Sequence, residues 1–445
     1  RPEIMKRNQE MATATDTTAA SALLDGIREE PPDAVFGITA AYKACTRPEK
    51  LNLGVGAYRD ERGQPRVLQC VRRAETITAK RLDDGELNKE YLPIDGHAGF
   101  RRETARLMFG DELLQRDDTF VSSTQSLSGT GAVRLGCELV RRLSECAGRD
   151  APAVYVPNPT WGNHKAIVAN ARLECRTYRY VDAATMALDF DGMCADLRAA
   201  PRGAVVLLHP CAHNPSGVDP SDAQWLALAE LFEQRGLVPF FDSAYQGFAT
   251  GDLERDAHAV RLFGARTAID ALLVAQSFSK NLGLYSQRAG ALHVLTHRSR
   301  AAADAVQSHV KRIVRPMYSN PPSPAALTVY TVLTDDALRA LWHDELRAMA
   351  ERIRAMRVAL RAELERIGAP GPWQHITDQV GMFCFSGLKP AHVAHMQAKH
   401  AVFMLPNGRI SMPGLTEATV PHLAAAMLDA LKNVDVGAGG AAAAK

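Results

Sequence analysis

The chain has 445 residues, of which 46% are hydrophobic and 23% charged, a composition typical of a globular protein large enough for two domains. Its 52 basic and 50 acidic residues leave a net charge of +2, so no strong field favours nucleic acid or an anionic membrane as a partner. Without a ~20-residue apolar run, a CxxC pair or a Cys/His zinc spacing, we expect neither a membrane span nor a metal site.

The two ends of the chain differ in composition from the rest. Residues 1–32 mix basic and acidic side chains, and we interpret them as an N-terminal arm or extension. The acidic residues are unusual in a mitochondrial transit peptide. The Gly/Ala-rich residues 437–445 are predicted to be a flexible tail.

The middle of the chain alternates short apolar runs with helical patterns. The runs are continuous rather than alternating, as expected for strands covered on both faces. They occupy residues 152–157, 204–210, 237–242, 271–276 and 290–295. Between two of them, residues 221–236 show a helical pattern that begins at a Ser/Asp cap and ends at Gly236. This repetition predicts a doubly wound, mostly parallel α/β sheet.

The pattern changes after the PPSP segment at residues 321–324. Apolar residues recur at spacings of three and four from Leu346 to Ile367, which predicts a packed amphipathic helix. Residues 374–388 and 402–412 are then predicted to be strands of a smaller α+β unit.

Polar and aromatic side chains follow four of the apolar runs. In open α/β sheets such positions share the carboxyl edge of the strands, where ligands bind. In chain order they are Trp161 and His164, then Asn214, then Asp242 and Tyr245, and finally Lys280. Upstream, residues 126–140 form a Ser/Gly/Thr turn that opens a helix, and its free N–H groups predict an anion site.

Lys280 directly follows a strand that is predicted to be buried, although an unpaired ammonium is costly to desolvate. Pyridoxal phosphate would resolve this conflict, because it binds a lysine covalently. It also needs an acid beside its ring nitrogen, a donor to its phenolic oxygen, a phosphate cradle and a ring to stack on. The side chains at this edge offer each of these, so we predict pyridoxal 5'-phosphate as the cofactor.

Nine motifs carry a resemblance to a known family. In chain order they are NLGVGAYRDE, EYLPIDG, SGTGA, PTWGNH, CAHNPSG, FFDSAYQGFA, SFSKNLGLYSQRAG, RPMYSNPP and NGRIS, spread from about residue 33 to 430. Together they resemble the aspartate aminotransferases, in the class I branch of the fold-type I pyridoxal phosphate enzymes. The resemblance implies a large cofactor-binding domain (67–348) and a smaller discontinuous α+β domain (33–66 and 349–436).

The resemblance also implies a role for each residue near the cofactor. Lys280 would hold it covalently and move the proton, Asp242 would pair with the ring nitrogen, and His164 would support Asp242. Tyr245 and Asn214 would donate to the phenolic oxygen, and Trp161 would stack on the ring. The implied phosphate site consists of Ser128, Gly129, Thr130, Ser277 and Arg288, together with Tyr91 of the neighbouring subunit.

Two arginines are implied to select the substrate. Arg409 would grip the α-carboxylate, beside Trp161 and Asn214, and Arg315 would reach the side-chain carboxylate across a homodimer interface. A planar guanidinium fork matches a carboxylate with two hydrogen bonds, so a dicarboxylic substrate is expected. Val55 and Gly56 would lie in a mobile segment that closes over it.

The implied activity is reversible ping-pong transamination of L-aspartate and 2-oxoglutarate to oxaloacetate and L-glutamate. A broader aspartate/aromatic aminotransferase and a cofactor-binding homologue without turnover stay open as alternatives. A nicotinamide-linked oxidoreductase is disfavoured, because GVGAYR lacks the third glycine of the dinucleotide fingerprint. Phrases such as CRTYRY resemble the mitochondrial form, whereas SFSK resembles the cytosolic one. We therefore expect a mitochondrial location, with the cytoplasm as the alternative.

Overall fold

The computed structural model describes residue 24, residues 26–30 and residues 34–435. Most of the predicted arm and all of the predicted tail therefore lie outside the described residues. The strands are β1 (Leu51–Asn52), β2 (Phe120–Leu127), β3 (Val154–Asn158), β4 (Cys175–Arg179), β5 (Val205–Leu208), β6 (Val238–Ser243), β7 (Ala271–Ser277), β8 (Ala289–Thr296), β9 (Phe383–Phe385), β10 (Val402–Phe403) and β11 (Arg409–Ser411).

Helices lie between most of these strands. They are α1 (Ala34–Ala44), α2 (Gln69–Asp83), α3 (Ala98–Leu114), α4 (Ser128–Cys146), α5 (Asn163–Asn170), α6 (Phe190–Ala199), α7 (Asp222–Arg235), α8 (Leu253–Asp256), α9 (His258–Gly264), α10 (Arg300–Tyr318), α11 (Pro324–Thr334), α12 (Asp336–Arg366), α13 (Gln374–Asp378), α14 (Pro390–His400) and α15 (Val420–Asn433), with a 3₁₀ turn at Met412–Gly414. In the described part of the chain, no helix has the length and apolar character that crossing a membrane requires.

The large sheet has seven strands in the order β2-β8-β7-β6-β5-β3-β4. Strand β8 runs antiparallel to both of its neighbours, and every other adjacent pair is parallel. All five apolar runs form strands of this sheet, namely β3, β5, β6, β7 and β8. The prediction of a mostly parallel α/β sheet is therefore confirmed.

Both faces of this sheet are buried by helices, as adjacent residues of β6 show. Phe240 packs in one core with Leu135 of α4, whereas Phe241 packs in a second core with Phe232 of α7. Successive side chains of a strand point to opposite faces, so a strand covered on both faces must be apolar at every position. This is why β6 has a continuous apolar run.

Strands β2 and β4 were not recognised from the sequence. Strand β2 has the polar sequence FVSSTQSL, and its side chains find partners in the fold. For example, the Ser122 hydroxyl donates to Gln307 Oε1 at 2.7 Å, and Ser123 Oγ lies 2.8 Å from His293 Nδ1. Strand β4 lies at the edge of the sheet and exposes most of its side chains. Neither strand therefore has the continuous apolar sequence by which the other strands of this sheet were predicted.

The predicted helix at residues 221–236 is confirmed, with its ends set by local chemistry. Ser221 Oγ accepts the Gln224 backbone N–H at 3.3 Å, and Gln224 Oε1 accepts the Ser221 N–H at 2.9 Å. Gly236 ends α7 with φ of 61°, a left-handed conformation that favours glycine.

The C-terminal part corrects one prediction. Residues 374–388 were predicted to be a strand, but residues 374–378 form α13 and only Phe383–Phe385 are extended. Long side chains of α12 hold this short helix. Arg357 Nη1 donates to Ile376 O at 3.0 Å, and Arg361 Nη1 donates to Thr377 Oγ1 at 2.9 Å. Tertiary contacts thus override the local strand-like sequence.

Two small sheets complete the C-terminal part: β1 pairs with β10 in parallel, and β9 pairs with β11 antiparallel. The predicted amphipathic helix is confirmed as part of α12. This helix begins at Asp336, earlier than predicted, and is continuous across the predicted domain boundary between residues 348 and 349. The domain boundaries stay a prediction.

Candidate active site

Four chain segments meet at the carboxyl edge of the large sheet. Strand β2 leads directly into α4 at Ser128, β6 brings Asp242, and β7 ends at Ser277. Because β8 is antiparallel to β7, its first residues lie at the same edge, where Gly290 pairs with Ser277. Arg288 precedes β8 and therefore arrives there as well.

One cavity at this edge collects most of the predicted site residues. Those that line it are Ser128, Gly129, Thr130, Trp161, Asn214, Asp242, Tyr245, Ser277, Lys280 and Arg288. The side chain of His164 is fully buried and contacts Asp242. Residues that were up to 160 positions apart in sequence are thus brought into one pocket by the order of the strands.

Hydroxyl groups and one guanidinium form a candidate phosphate cradle. Ser128 Oγ lies 3.0 Å from Ser277 Oγ and 2.6 Å from Ser279 Oγ, at the first residue of α4. Arg288 Nη1 donates to Ser279 Oγ at 3.3 Å. A side chain at Gly129 would place its Cβ 3.0 Å from Ser277 Cβ, a tight contact that would require Ser277 to shift. Free helix N–H groups, hydroxyls and a guanidinium together suit a dianion.

Ser279 was not predicted as a site residue. The signal was present, because Ser279 immediately precedes Lys280 in the SFSK motif and follows the end of β7.

Lys280 occupies the same pocket with its amine near an aromatic ring. Lys280 Nζ lies 5.0 Å from the centroid of the Tyr245 ring. Burial lowers the pKa of Lys280 to about 8, and the positive charges of Arg288 and Arg409 act in the same direction, while Asp242 opposes them. A larger fraction of the amine is therefore neutral, and available as a nucleophile or base, than in an ordinary lysine.

This pKa predicts how the amine reacts in protein freed of any cofactor. Labelling of Lys280 by an amine-reactive probe should rise with pH and become half-maximal near pH 8, because only the neutral amine reacts. Peptide mass spectrometry across a pH series measures the labelled fraction. A half-maximal point near 10.5, the ordinary lysine value, would contradict the effect of burial.

Asp242 is held as a buried carboxylate at the end of β6. His164 Nε2 lies 3.0 Å from Asp242 Oδ2, and Thr160 Oγ1 lies 2.7 Å from the other ring nitrogen of His164. Burial raises the pKa of Asp242, but the His164 hydrogen bond and the positive charge of Lys280 act in the opposite direction, and the pKa is lowered overall. The carboxylate therefore keeps its negative charge at neutral pH.

His209 is a neighbour of Asp242 that the sequence analysis missed. Its Nε2 lies 4.0 Å from Asp242 Oδ2, and burial lowers the pKa of His209 to about 3, so the ring is neutral. His209 follows directly on β5, and it also lines the cavity. The rule that selected Asp242 and Lys280 would have found it.

Arg409 is a buried cation at the other side of the site. Its Nη2 donates to Gly54 O at 2.6 Å, its Nη1 lies 3.4 Å from Asn214 Oδ1, and its guanidinium lies 4.1 Å from the centroid of the Phe383 ring. Burial lowers the pKa of Arg409 to about 10. Among the described residues, its Nε has no hydrogen-bond partner and no carboxylate pairs with the guanidinium, which leaves it available to an anionic ligand.

Asn214 connects Arg409 to Tyr245. Asn214 Nδ2 donates to the Tyr245 hydroxyl at 3.3 Å. Burial raises the pKa of that hydroxyl, so it stays protonated and can donate a hydrogen bond. Val55 and Gly56 follow Gly54 and are partly buried; a Cβ at Gly56 would lie 3.0 Å from the Phe383 ring. They adjoin Arg409 but do not line the Lys280 cavity.

Tyr91 and Arg315 are exposed and do not line the Lys280 cavity of their own chain. Tyr91 is 83% exposed, and Arg315 is exposed near the end of α10, where its Nη1 donates to Ser319 Oγ at 2.6 Å. This placement is the one expected of residues that act in a neighbouring subunit. Their roles stay predictions.

The residues present fit pyridoxal phosphate. The cavity combines a lysine of lowered pKa, a buried carboxylate, a protonated tyrosine and a cradle for a dianion. The cradle is built from small residues, with Ser128 at a positive φ of 62° and little space for a side chain at Gly129. Each group therefore matches one part of this cofactor.

Two known proteins of similar sequence are named aspartate aminotransferase. The cytoplasmic aspartate aminotransferase of Oryza sativa subsp. japonica is 46% identical over 92% of this chain and 98% of its own length. The mitochondrial aspartate aminotransferase of Gallus gallus is 44% identical over 93% of this chain and 95% of its own length.

Solved structures match over nearly the whole described chain. The cytoplasmic aspartate aminotransferase of Saccharomyces cerevisiae has a TM-score of 0.87 and 38% identity, covering 93% of this chain and 99% of the other. The aromatic amino-acid aminotransferase of Burkholderia pseudomallei, covalently bound to pyridoxal phosphate, has a TM-score of 0.86 and 39% identity over 92% and 99%. The broad specificity aminotransferase of Leishmania mexicana has a TM-score of 0.87 and 43% identity over 94% and 100%. Because residues 48–427 also match the family described as aminotransferase class I and II, the chain belongs to that family.

Proposed function

We propose that this protein is a pyridoxal phosphate-dependent aspartate aminotransferase. It would transfer the amino group of L-aspartate to 2-oxoglutarate, giving oxaloacetate and L-glutamate, by a reversible ping-pong reaction. The observation that carries the proposal is that Lys280 and Asp242 line one cavity in a chain of this family, and that Arg409 adjoins this cavity through Asn214. Lys280 supplies a nucleophilic amine, Asp242 a buried anion, and Arg409 a guanidinium that has no carboxylate partner among the described residues.

When bound, pyridoxal phosphate supplies an aldehyde that takes the amino group and a ring that accepts the electron pair left at the substrate Cα. The chain supplies the rest. Lys280 Nζ would hold the cofactor and, once released by substrate, would take the proton from the substrate Cα and deliver it to the cofactor carbon that carried the aldehyde. The Asp242 carboxylate, which is hydrogen-bonded to His164, would keep a proton on the ring nitrogen. The Tyr245 hydroxyl, which accepts a hydrogen bond from Asn214, would donate one to the phenolic oxygen.

Substrate binding would rest on two guanidinium groups. The Arg409 guanidinium is buried, oriented by Gly54 O, and lacks a carboxylate partner among the described residues, so it suits the α-carboxylate that all amino-acid substrates share. Arg315 of a second subunit would bind the side-chain carboxylate that distinguishes aspartate and glutamate.

The proposal is tested by the overall reaction. Purified protein loaded with pyridoxal phosphate should convert L-aspartate and 2-oxoglutarate to L-glutamate, with double-reciprocal plots that stay parallel as the second substrate is varied. Cofactor binding without turnover on any amino acid would support the homologue without activity instead.

A second candidate keeps the reaction and widens the substrate range. The relatives in Burkholderia pseudomallei and Leishmania mexicana are described as aromatic and broad specificity aminotransferases, at identities of 39% and 43%. The ratio of kcat/KM on aspartate to that on phenylalanine separates the candidates. A ratio well above one favours the aspartate enzyme, and a ratio near one favours the broad enzyme.

The homodimer with shared sites belongs to the same proposal. The exposed positions of Tyr91 and Arg315 support it, since neither reaches the Lys280 cavity of its own chain. Mixing inactive Lys280→Ala subunits with impaired Arg315→Leu subunits should restore aspartate activity after denaturation and refolding together. One of the two sites in each hybrid would then contain both native residues. Absence of any recovery in verified hybrids would contradict a shared site.

The compartment stays a prediction. Phrases such as CRTYRY support a mitochondrial location, yet relatives named as mitochondrial and as cytoplasmic match this chain at similar identity, 44% and 46%.

A further inference from the structure

Two histidines and one aspartate form a compact cluster away from the Lys280 cavity. His395 Nε2 lies 2.6 Å from Asp429 Oδ2, and His400 Nε2 lies 2.8 Å from the same oxygen. All three potential ligand atoms lie within 4.8 Å of one another. The histidines belong to α14 and the aspartate to α15, so the cluster joins the two helices near the C-terminus.

The second oxygen of the Asp429 carboxylate is held by other groups. Lys399 Nζ and Asn433 Nδ2 each lie 2.9 Å from Asp429 Oδ1. Oδ2 is thereby aimed at the two imidazoles. Carboxylates that bind metal ions are commonly held in place by hydrogen bonds to other groups in this way.

The cluster is within reach of solvent ions. The side chains of His395, His400 and Asp429 are 21% to 24% exposed. Ligand atoms around a tetrahedral Zn²⁺, each ~2.0–2.2 Å from the metal, lie about 3.3–3.5 Å apart. The present separations of 2.6 and 2.8 Å need to open by less than about 1 Å, which rotation of partly exposed side chains can supply.

We propose that His395, His400 and Asp429 bind a divalent transition-metal ion such as Zn²⁺. Two imidazoles and one carboxylate suit Zn²⁺, Co²⁺ or Ni²⁺, whereas Mg²⁺ and Ca²⁺ prefer oxygen ligands. The ion would replace the shared imidazole–carboxylate hydrogen bonds and fasten α14 to α15. Water would complete its coordination.

The sequence did not indicate this site. His395 and His400 are five residues apart, and the third ligand comes from another helix, so neither a cysteine pair nor a zinc-finger spacing is present.

The test uses the full-length protein loaded with its cofactor, freed of any affinity tag and dialysed against a chelator. Co²⁺ is titrated while its visible absorption is recorded, and Zn²⁺ is then used as a competitor. His395→Gln is the decisive variant, because glutamine can still donate a hydrogen bond to Asp429 but is a poor metal ligand. His258→Ala, which removes an exposed histidine from α9, is the matched control.

We expect one Co²⁺ per chain with nitrogen and oxygen ligands, displaced by Zn²⁺ but not by Mg²⁺. His395→Gln and Asp429→Asn should each weaken binding at least about tenfold, as even the loss of a supporting group does at known metal sites. His258→Ala should bind like the parent. Circular dichroism and cofactor absorption check that the variants fold.

Three results would overturn the proposal. They are the absence of Co²⁺ binding in the millimolar range, equal affinity in the folded His395→Gln variant, and an equal loss in His258→Ala. The first would leave the cluster as an ion-pair network around Asp429, and the other two would assign binding to another part of the chain.

Discussion

Replacing Lys280 with alanine is expected to lower kcat for transamination of L-aspartate by about 10⁴-fold or more, while the fold is kept. The variant loses both the amine that holds the cofactor and the group that moves the Cα proton, and proton transfer alone contributes roughly 10²–10⁴-fold. The side chain lies in a pocket at the strand edge rather than in an apolar core, so its removal leaves the large sheet intact. Steady-state kinetics with 2-oxoglutarate as acceptor measure the loss.

A second lysine provides the control for this substitution. Lys165 lies on α5, close in sequence to Trp161 and His164, but its side chain is exposed. Lys165→Ala should keep the parent's kcat and KM. Parent-level turnover in folded Lys280→Ala would remove Lys280 from the reaction, and an equal loss in Lys165→Ala would point to a general loss of positive charge.

Replacing Arg315 with leucine should lower kcat/KM for L-aspartate by about 100-fold and leave L-phenylalanine nearly unchanged. Hydrogen bonds to charged groups are each worth about 1.5–3 kcal/mol, and roughly 1.4 kcal/mol corresponds to a tenfold change in rate. Aspartate would lose the fork that binds its side-chain carboxylate, while phenylalanine has no such group. The measured quantity is the ratio of kcat/KM values on the two substrates.

Two further arginines separate selectivity from general binding. Arg312 is exposed one turn before Arg315 on α10, and Arg312→Leu should leave kcat/KM unchanged for both substrates. Arg409→Leu should lower kcat/KM for aspartate and phenylalanine alike, because both substrates carry an α-carboxylate. Equal losses on aspartate and phenylalanine in Arg315→Leu would contradict its role as the side-chain clamp.

Much of the large sheet could be predicted because burial on both faces leaves a pattern in the sequence. Phe240 and Phe241 must both be apolar, since they enter cores on opposite faces. The same pattern located the edge of the sheet at Asp242 and Lys280. Strand β2 was not predicted, because Ser122 and Ser123 are polar. Their side chains hydrogen-bond to residues more than 160 positions away in sequence.

Other features depend on contacts that no local pattern encodes. The short helix α13 is held by Arg357 and Arg361 of α12, so its sequence could not distinguish it from a strand. The lowered pKa of Lys280 arises from burial beside Arg288 and Arg409, which meet it only in the folded chain. In the site itself, the roles of the motif residues were predicted by resemblance. His209 and Ser279 were identified only by their positions in the structure.

The most direct test of the central claim is the half-reaction with L-aspartate alone. Protein loaded with pyridoxal phosphate and free of any oxoacid is mixed with excess L-aspartate, and oxaloacetate and cofactor absorption are followed together. The account predicts one oxaloacetate per active site, a matching shift of the absorption to that of the aminated cofactor, and return of the original spectrum on addition of 2-oxoglutarate. An unchanged spectrum without oxaloacetate, in protein that holds its cofactor, would contradict the assignment.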